Sequence, residues 1–357
     1  MLTVRLICAA MLIMLGTGPG AAQTVAGPKA RQAIKVEVSP LQFRFTGAVS
    51  ERLVAKYHLP PLDISPVLAA PAVKAFCAGV APDTPDIIAL PRRMAKREYE
   101  SCVENGVVDI IELSVGFDAL VLVARKGDPV FNMTPRAMYF ALAAEIPLAD
   151  DFVRNDAKRW SDLDPRLPDL EINVVGSENG TSINALFKEI FMEGGCRGLR
   201  QFKVYYSAID RVKTCTTLRD DGRYVGVKAP IALNFKGIFQ KAPPGAIGVV
   251  PYTVYQHNAD WLDLMPLLNV RPTRATIKGD EYEAVSPVRY YVKRRHMERS
   301  LGGDGVVPCL YDFIKEIMSE DAIGEDGYLT TLGLVVDDPE DREHDRESAM
   351  RLQPFRR

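Results

Sequence analysis

The 357-residue chain is 47% apolar and 25% charged, which are values of a globular protein. Its length allows two hydrophobic cores, so we expect two domains or lobes. The formal net charge of -2 provides no overall attraction to nucleic acid or to anionic membranes, and it argues against both as general partners.

The first 22 residues have the pattern of a secretory signal peptide. Arg5 precedes a short apolar run over residues 6–15, and small residues allow cleavage after Ala22. The run is too short to span a bilayer. We therefore expect a soluble protein that is exported to the periplasm.

Hydrophobic periodicity predicts the regular elements that follow. The predicted strands are 34–38, 62–67, 85–90, 107–113, 115–124, 172–175, 202–207, 224–227, 245–250 and 288–292. The predicted helices are 46–57, 69–78, 96–105, 134–145, 183–191 and 311–319. The alternation of strands and helices is typical of an α/β fold with a largely parallel sheet. From residue 337 onward, dense charge of both signs predicts a solvated tail.

A strand, a turn-rich loop and a helix follow one another in residues 171–196. Small polar residues fill the loop, and the helix begins near Thr181 and Ser182, which are suitable N-cap residues. Free backbone N–H groups and the helix dipole make such a helix start a site for phosphate or another oxyanion. An ordinary capped helix after a strand has the same composition, so both interpretations stay open.

Charged side chains outside this loop give weaker indications. Arg92 and Arg93 follow a predicted buried strand, at the end where α/β sheets bind ligands, although a surface salt bridge explains them equally well. The basic run at residues 293–296 is interpreted as a charged edge strand rather than a nucleic-acid site. The four histidines lack metal-ligand spacing and no hydrolase motif is present, so we expect no enzyme, cofactor or metal.

The cysteines are consistent with export to an oxidising compartment. Cys77 with Cys102, and Cys196 with Cys215, would each close a modest loop, but four cysteines allow three pairings and the sequence does not choose among them. Cys309 is left over and is expected to be a buried thiol.

An ordered series of segments resembles the periplasmic phosphate-binding proteins of ABC transporters, within the type II solute-binding superfamily. The matching segments are 75–79, 86–88, 92–94, 106–107, 114–118, 180–181, 194–196, 215, 218–225, 245–248, 286–293, 296, 327–329 and 333–334. The resemblance implies two α/β lobes, each a mainly parallel sheet flanked by helices, joined by two crossover strands. It implies the following division: signal peptide 1–22, lobe I 34–115 and 249–335, lobe II 116–248, and charged tail 336–357.

The resemblance also implies a ligand site between the lobes. The expected ligand-binding residues are Ser177, Asn179, Gly180, Thr181, Ser182, Arg92, Ser39 and Asp118. In this scheme the loop residues cradle phosphate or a similar oxyanion and Arg92 neutralises it. Asp118, at a crossover, accepts a proton from a protonated oxyanion or ties the hinge. The expected partner is an inner-membrane ABC permease, and the expected state is a monomer.

Three loops depart from the family pattern. The first loop reads Val38-Ser39-Pro40-Leu41 in place of a Gly-Ser-Ser-Thr type, so a proline and a leucine replace potential donors. The glycine-rich loop before the Phe-Cys pair is 68–72 here, and Pro91 stands where a serine is expected. These departures keep open a second interpretation, in which a degenerate relative binds a protein partner or has a sensory or structural role without phosphate affinity.

Overall fold

A computed structural model describes residues 31–39, 41–148, 151–201, 207–229 and 231–357. The expected signal peptide, residues 1–22, lies outside these residues, and so does nearly all of the strand predicted at 202–207. Within the described part of the chain, no helix combines the length and the apolar character that crossing a membrane would require.

The regular elements alternate along the chain, as the periodicity predicts. The strands are β1 Lys35–Val38, β2 Asp63–Pro66, β3 Ile87–Leu90, β4 Ile110–Arg125, β5 Glu145–Leu148, β6 Asp151–Arg154, β7 Val174–Ser177, β8 Tyr224–Val227, β9 Ile247–Pro251, β10 Leu262–Met265, β11 Val285–Lys293 and β12 Leu334–Val335. The helices are α1 Phe43–Tyr57, α2 Ala69–Phe76, α3 Lys96–Glu104, α4 Pro135–Leu142, α5 Trp160–Leu163, α6 Ser182–Phe187, α7 Gly194–Arg197, α8 Ala208–Thr216, α9 Ile231–Phe239, α10 Tyr252–Gln256, α11 Arg274–Lys278, α12 Leu310–Ile317, α13 Glu320–Ile323, α14 Tyr328–Thr331 and α15 Pro339–Met350. A π-helical turn, Lys188–Glu193, joins α6 to α7.

Lobe I contains a sheet in the order β2-β1-β3-β11-β4. The strands β2, β1 and β3 are parallel, whereas β11 runs antiparallel to both of its neighbours. Ile87 packs into the apolar cluster on one face of this sheet and Ile88 into the cluster on the other, because side chains alternate along a strand. Both faces of the sheet are therefore covered.

Lobe II is built on the second half of the long strand β4. This half pairs with β9 and β10, and β9 continues through β7 to β8 in parallel pairing. A single large apolar cluster surrounds these strands, and Trp160, Tyr139 and Phe191 are among its fully buried members. The strand β4 thus runs without interruption from lobe I into lobe II, which makes it one of the crossovers between them.

The second boundary between the lobes differs from the expected one. The expected division returns the chain to lobe I at residue 249, but β10 and α11 follow that point and belong to lobe II, where Leu264 and Ile277 join its core. The chain returns at the start of β11, where Val285 pairs with Ala119 of β4. The strand β9 is as apolar as a crossover strand, so its sequence pattern does not distinguish the two roles.

The C-terminal segment also differs from its expected solvated state. Residues 339–350 form α15, with Pro339 at the first helical position. After the helix, Phe355 packs edge-on against Tyr99 and Tyr291 of lobe I. Its backbone N–H donates to the carbonyl of Ile110 at 2.6 Å. Apolar residues such as Phe355 hold the segment on lobe I, and so does the buried Arg342, which donates to the Asp337 carbonyl at 2.7 Å.

The basic run at 293–296 is not an edge strand, so that interpretation is wrong. The strand β11 lies between β3 and β4, and Lys293 is fully buried. Its ammonium group donates to the Gly79 carbonyl at 2.7 Å and to the Thr84 hydroxyl at 2.8 Å, and burial lowers its pKa to about 7. Neighbouring His296 contacts the buried Asp86 carboxylate at 2.6 Å.

Among the described residues, no group of three or more His, Cys, Asp or Glu side chains is arranged to hold a metal ion.

Candidate functional site

The loop between β7 and α6 is held by the side chain of Thr181. Its hydroxyl accepts a hydrogen bond from the Asn184 N–H at 3.1 Å, so Thr181 is the N-cap that its sequence position predicts. The same hydroxyl donates to the Glu178 carbonyl at 3.0 Å and lies 2.8 Å from the buried Ser177 hydroxyl. Gly180 has a φ of +89°, a conformation that glycine adopts without strain.

A second group of contacts fixes the end of β7 against the helix. The Ser177 carbonyl accepts from the Asn184 amide at 3.1 Å and from the Tyr224 hydroxyl at 2.7 Å. The Tyr224 ring stacks on Phe187, with 5.5 Å between the ring centroids. The loop is therefore positioned before any ligand arrives, which reduces the entropy that binding must overcome.

The start of α6 faces lobe I. Ser182, its first residue, lies with its hydroxyl 3.3 Å from Nη1 of Arg44 in α1. Nε of Arg44 donates to the Leu332 carbonyl at 3.1 Å, and its Nη2 lies 2.7 Å from the Asp118 carboxylate. Arg44 therefore contacts a crossover strand and both lobes, at the point where the α6 N-terminus opens toward lobe I.

Asp118 lies on β4 where this strand passes between the lobes. Its side chain is 1% exposed, and within the described part of the chain its ion pair is with Arg44. Burial raises the pKa of the Asp118 carboxyl, and the Arg44 guanidinium opposes that rise. Nearby Gly116, with a φ of +142°, has no space for a side chain because a Cβ there would lie 2.6 Å from the Val335 carbonyl oxygen. The crossover thus places a carboxylate between the lobes.

The first loop of lobe I contributes little hydrogen-bonding capacity. The buried Ser39 hydroxyl accepts from the Leu41 N–H at 3.3 Å, so it stabilises its own turn. Leu41 is 3% exposed and packs with the core cluster of lobe II, although it belongs to a lobe I loop. The departure from the family pattern therefore replaces a polar contact with an apolar contact across the cleft.

Arg92 occupies a separate place in lobe I. Its guanidinium binds the Glu98 carboxylate through two hydrogen bonds, Nη1–Oε2 at 2.8 Å and Nη2–Oε1 at 2.7 Å. These bonds hold the pKa of Glu98 below its usual value, and Glu98 also accepts from the Ala95 N–H at the start of α3. The Arg92 side chain is 42% exposed. The structure thus gives Arg92 a carboxylate partner of its own.

The structure brings some of the predicted site residues together. Those that converge where α6 meets Arg44 are Ser177, Thr181, Ser182 and Asp118. Asn179 and Gly180 lie at the exposed tip of the same loop, and Ser39 lies in the adjoining loop of lobe I.

Sequence reasoning missed Arg44 because it began the first helix at Thr46, whereas α1 begins at Phe43. The missed start places Arg44 in the first turn of a helix that follows β1. The position itself is the signal, since helix starts after parallel strands face the ligand crevice in α/β sheets.

Each lobe contains a disulfide. Cys77 pairs with Cys102, with Cα atoms 4.2 Å apart, and Cys196 pairs with Cys215, with Cα atoms 5.9 Å apart. These are the two expected pairs, and Cys309 is buried as expected.

With this geometry in place, comparisons with known proteins identify the family. A family model described as a PBP superfamily domain matches residues 23–321. The chain belongs to the PBP superfamily. Protein SphX of Synechococcus elongatus is 26% identical to this chain over 238 residues, which cover 64% of this chain and 58% of SphX. The matched stretch thus spans less than two thirds of that relative.

Solved structures share the PBP fold at low identity. A possible phosphate binding protein from Planctomyces limnophilus has a TM-score of 0.64 at 20% identity, covering 90% of this chain and 100% of that chain. PstS from Borrelia burgdorferi has a TM-score of 0.52 at 14% identity, covering 86% and 100%. An ABC-type phosphate transport receptor from Vibrio cholerae has a TM-score of 0.51 at 14% identity, covering 85% and 100%. The expected two-lobe α/β fold and the expected resemblance are confirmed.

Proposed function

We propose that this chain is an exported solute-binding protein that captures phosphate or a related small oxyanion between its lobes for an ABC transporter. One observation carries the proposal: the N-terminus of α6 faces an arginine of the opposite lobe, with Ser182 3.3 Å from Arg44. A helix N-terminus and a guanidinium both stabilise negative charge. The names of the similar proteins, which refer to phosphate binding and phosphate transport, support the same ligand.

The number of donors is compatible with useful affinity. Micromolar binding requires about 8 kcal/mol. Each hydrogen bond to a charged group contributes about 1.5–3 kcal/mol net. The α6 geometry leaves the N–H groups of Ser182 and Ile183 without intrahelical acceptors. Together with the Ser182 hydroxyl and a guanidinium, they supply roughly the three to five donors that this free energy requires.

The proposed partner is a permease in the inner membrane, to which a monomeric binding protein delivers its ligand from the periplasm. Asp118 has two proposed roles in this scheme, as acceptor of a proton from a protonated oxyanion or as the tie at the hinge. Arg92, whose two Nη groups already bind Glu98, is not part of the proposed site.

Isothermal titration calorimetry of the mature chain, from residue 23 onward, with inorganic phosphate tests the proposal. We expect saturable heat at micromolar phosphate and a weaker response to sulfate. Absence of heat up to millimolar phosphate would reject phosphate capture, and a response to sulfate alone would change the ligand.

Leu41 gives a reason to retain the second candidate function, a relative without phosphate affinity that acts through a protein partner. Its side chain fills space between the lobes with an apolar contact, where the family pattern has a hydrogen-bond donor. A chain that gives no heat with phosphate, but forms a stable complex with a periplasmic protein whether or not phosphate is present, would favour this candidate.

A further inference from the structure

Arg44 is held in place on one side and open on the other. Asp118 fixes Nη2 at 2.7 Å and the Leu332 carbonyl fixes Nε at 3.1 Å. The Phe45 ring lies beneath the guanidinium, 4.2 Å from its central carbon to the ring centroid. A cation with this support cannot swing freely into solvent, so its remaining donors have a defined direction.

The remaining donors of Arg44 have only long contacts. A guanidinium carries five N–H donors. Nη1 makes its two contacts at 3.3 Å to the Ser182 hydroxyl and at 3.5 Å to the Leu41 carbonyl. Both lengths exceed the 2.7–2.9 Å or so of charge-assisted hydrogen bonds. These donors can therefore turn to an anionic oxygen with little loss.

Buried polar atoms of Gln42 and Asp118 also lack hydrogen-bond partners. Gln42, at the N-cap of the same helix, is 0% exposed, and neither its amide oxygen nor its amide nitrogen has a partner among the described residues. The Oδ1 atom of Asp118 is in the same situation. Buried polar groups are nearly always satisfied in folded proteins, so these atoms retain hydrogen-bonding capacity that water or a ligand can use.

We infer that Arg44 is the residue that neutralises the captured oxyanion, and that Asp118 positions it from the crossover strand. This inference rests on the proposed function and assigns the charge of that site to α1 of lobe I. The anion would lie between the Arg44 guanidinium and the first turn of α6, so both lobes would contact it at once. Ligand binding would then stabilise the closed arrangement of the lobes through the same residue.

Arg92 provides the matched control. It is an arginine of the same lobe that also pairs with a carboxylate, but Glu98 takes two of its donors at 2.7 and 2.8 Å. The variants Arg44→Gln and Arg92→Gln each remove one positive charge from lobe I. The charge removed in Arg44→Gln faces α6, whereas the charge removed in Arg92→Gln faces Glu98.

The experiment measures inorganic phosphate binding by calorimetry for the mature wild-type chain and for Arg44→Gln, Arg44→Lys and Arg92→Gln. We expect Arg44→Gln to weaken binding about 10- to 100-fold, the effect of one or more lost charged hydrogen bonds. Arg44→Lys should also bind more weakly than wild type, because lysine cannot contact Asp118 and the anion with one rigid fork. Arg92→Gln should stay within about twofold of wild type.

A double-mutant cycle tests the positioning role of Asp118. Asp118→Asn should weaken phosphate binding, and adding it to Arg44→Gln should cause no further loss, because Asp118 acts through Arg44. Additive losses would contradict the positioning role, because they would mean that Asp118 acts on the structure or on the anion without Arg44. Circular dichroism and thermal unfolding without phosphate establish that each variant is folded, and if Arg44→Gln is not, Arg44→Lys decides.

The outcomes separate the inference from the proposed function. If wild type binds phosphate and both Arg44 variants bind within twofold of it, the inference is wrong while the proposed function stands. A larger loss in Arg92→Gln than in Arg44→Gln also overturns it. If wild type binds no oxyanion, the proposed function fails and the inference fails with it.

Discussion

The hydroxyl of Thr181 is the feature whose removal tests the loop most directly. Thr181→Val keeps the shape of the side chain and removes the oxygen. Three contacts are lost together: the cap on the Asn184 N–H, the bond to the Glu178 carbonyl and the contact with the Ser177 hydroxyl.

The expected cost follows from these contacts. Loss of an N-cap destabilises a protein by about 1 kcal/mol. The Ser177 hydroxyl is 2% exposed, and leaving a buried polar group without a partner costs about 1–3 kcal/mol more. The sum is roughly 2–4 kcal/mol in the free energy of unfolding. The same change loosens the first turn of α6, so phosphate affinity should fall as well.

The assay is urea unfolding followed by circular dichroism, with Thr181→Ser as the matched control because it restores the oxygen. We expect a lower midpoint for Thr181→Val at an unchanged slope, and a midpoint near wild type for Thr181→Ser. If Thr181→Val lies within about 0.5 kcal/mol of wild type, or if both variants lose equal stability, the hydroxyl does not hold the loop.

Three further predictions concern the lobes themselves. The pKa of Lys293 is about 7 in the folded chain and higher in the unfolded chain. Between pH 7 and 10 the lysine is therefore protonated mainly in the unfolded chain, so the free energy of unfolding should rise with pH. In wild type the free energy of unfolding, measured by urea titration, should rise by roughly 2 kcal/mol between pH 7 and 9, and Lys293→Met should lose this rise. Parallel pH profiles for the two proteins would contradict the prediction. Replacing both Cys196 and Cys215 by Ser should lower the free energy of unfolding by about 3 kcal/mol in denaturant titrations. An unchanged midpoint would mean that this disulfide does not stabilise the folded chain. Phe355→Ala should cost about 3 kcal/mol in thermal unfolding, and an unchanged Tm would mean that the C-terminal segment does not stabilise lobe I.

Local signals made the β7–α6 loop predictable. The N-cap preference of threonine, the freedom of glycine and the apolar stripe of a helix depend on residues a few positions apart. The structure accordingly has a helix start at Ser182 with Thr181 as its cap. Loop length favoured two cysteine pairs in a similar way, but only the folded structure shows which of the three possible pairings forms.

Relations between distant parts of the chain were not predictable in the same way. The sequence does not show that Glu98 takes both ends of the Arg92 guanidinium, or that Arg44 reaches Ser182, which lies 138 positions away. The C-terminal segment has the charge pattern of a solvated tail, and only the apolar surface offered by Tyr99 and Tyr291 gives Phe355 a place to pack. Each of these differences is a tertiary contact that outweighs a local preference.

The contacts across the cleft bear on how tightly such a site can bind. In this structure, Leu41 of lobe I packs with the lobe II core, and Arg274 of lobe II binds Glu325 of lobe I at 3.1 Å, with no ligand involved in either contact. A ligand that binds only closed lobes has its apparent affinity reduced by the fraction of molecules that are closed beforehand. Contacts that raise this fraction compensate for hydrogen bonds that the altered first loop no longer offers. The apolar residue Leu41 and the proposed oxyanion site are therefore compatible, because a donor lost to the ligand is replaced by a contact that favours closure.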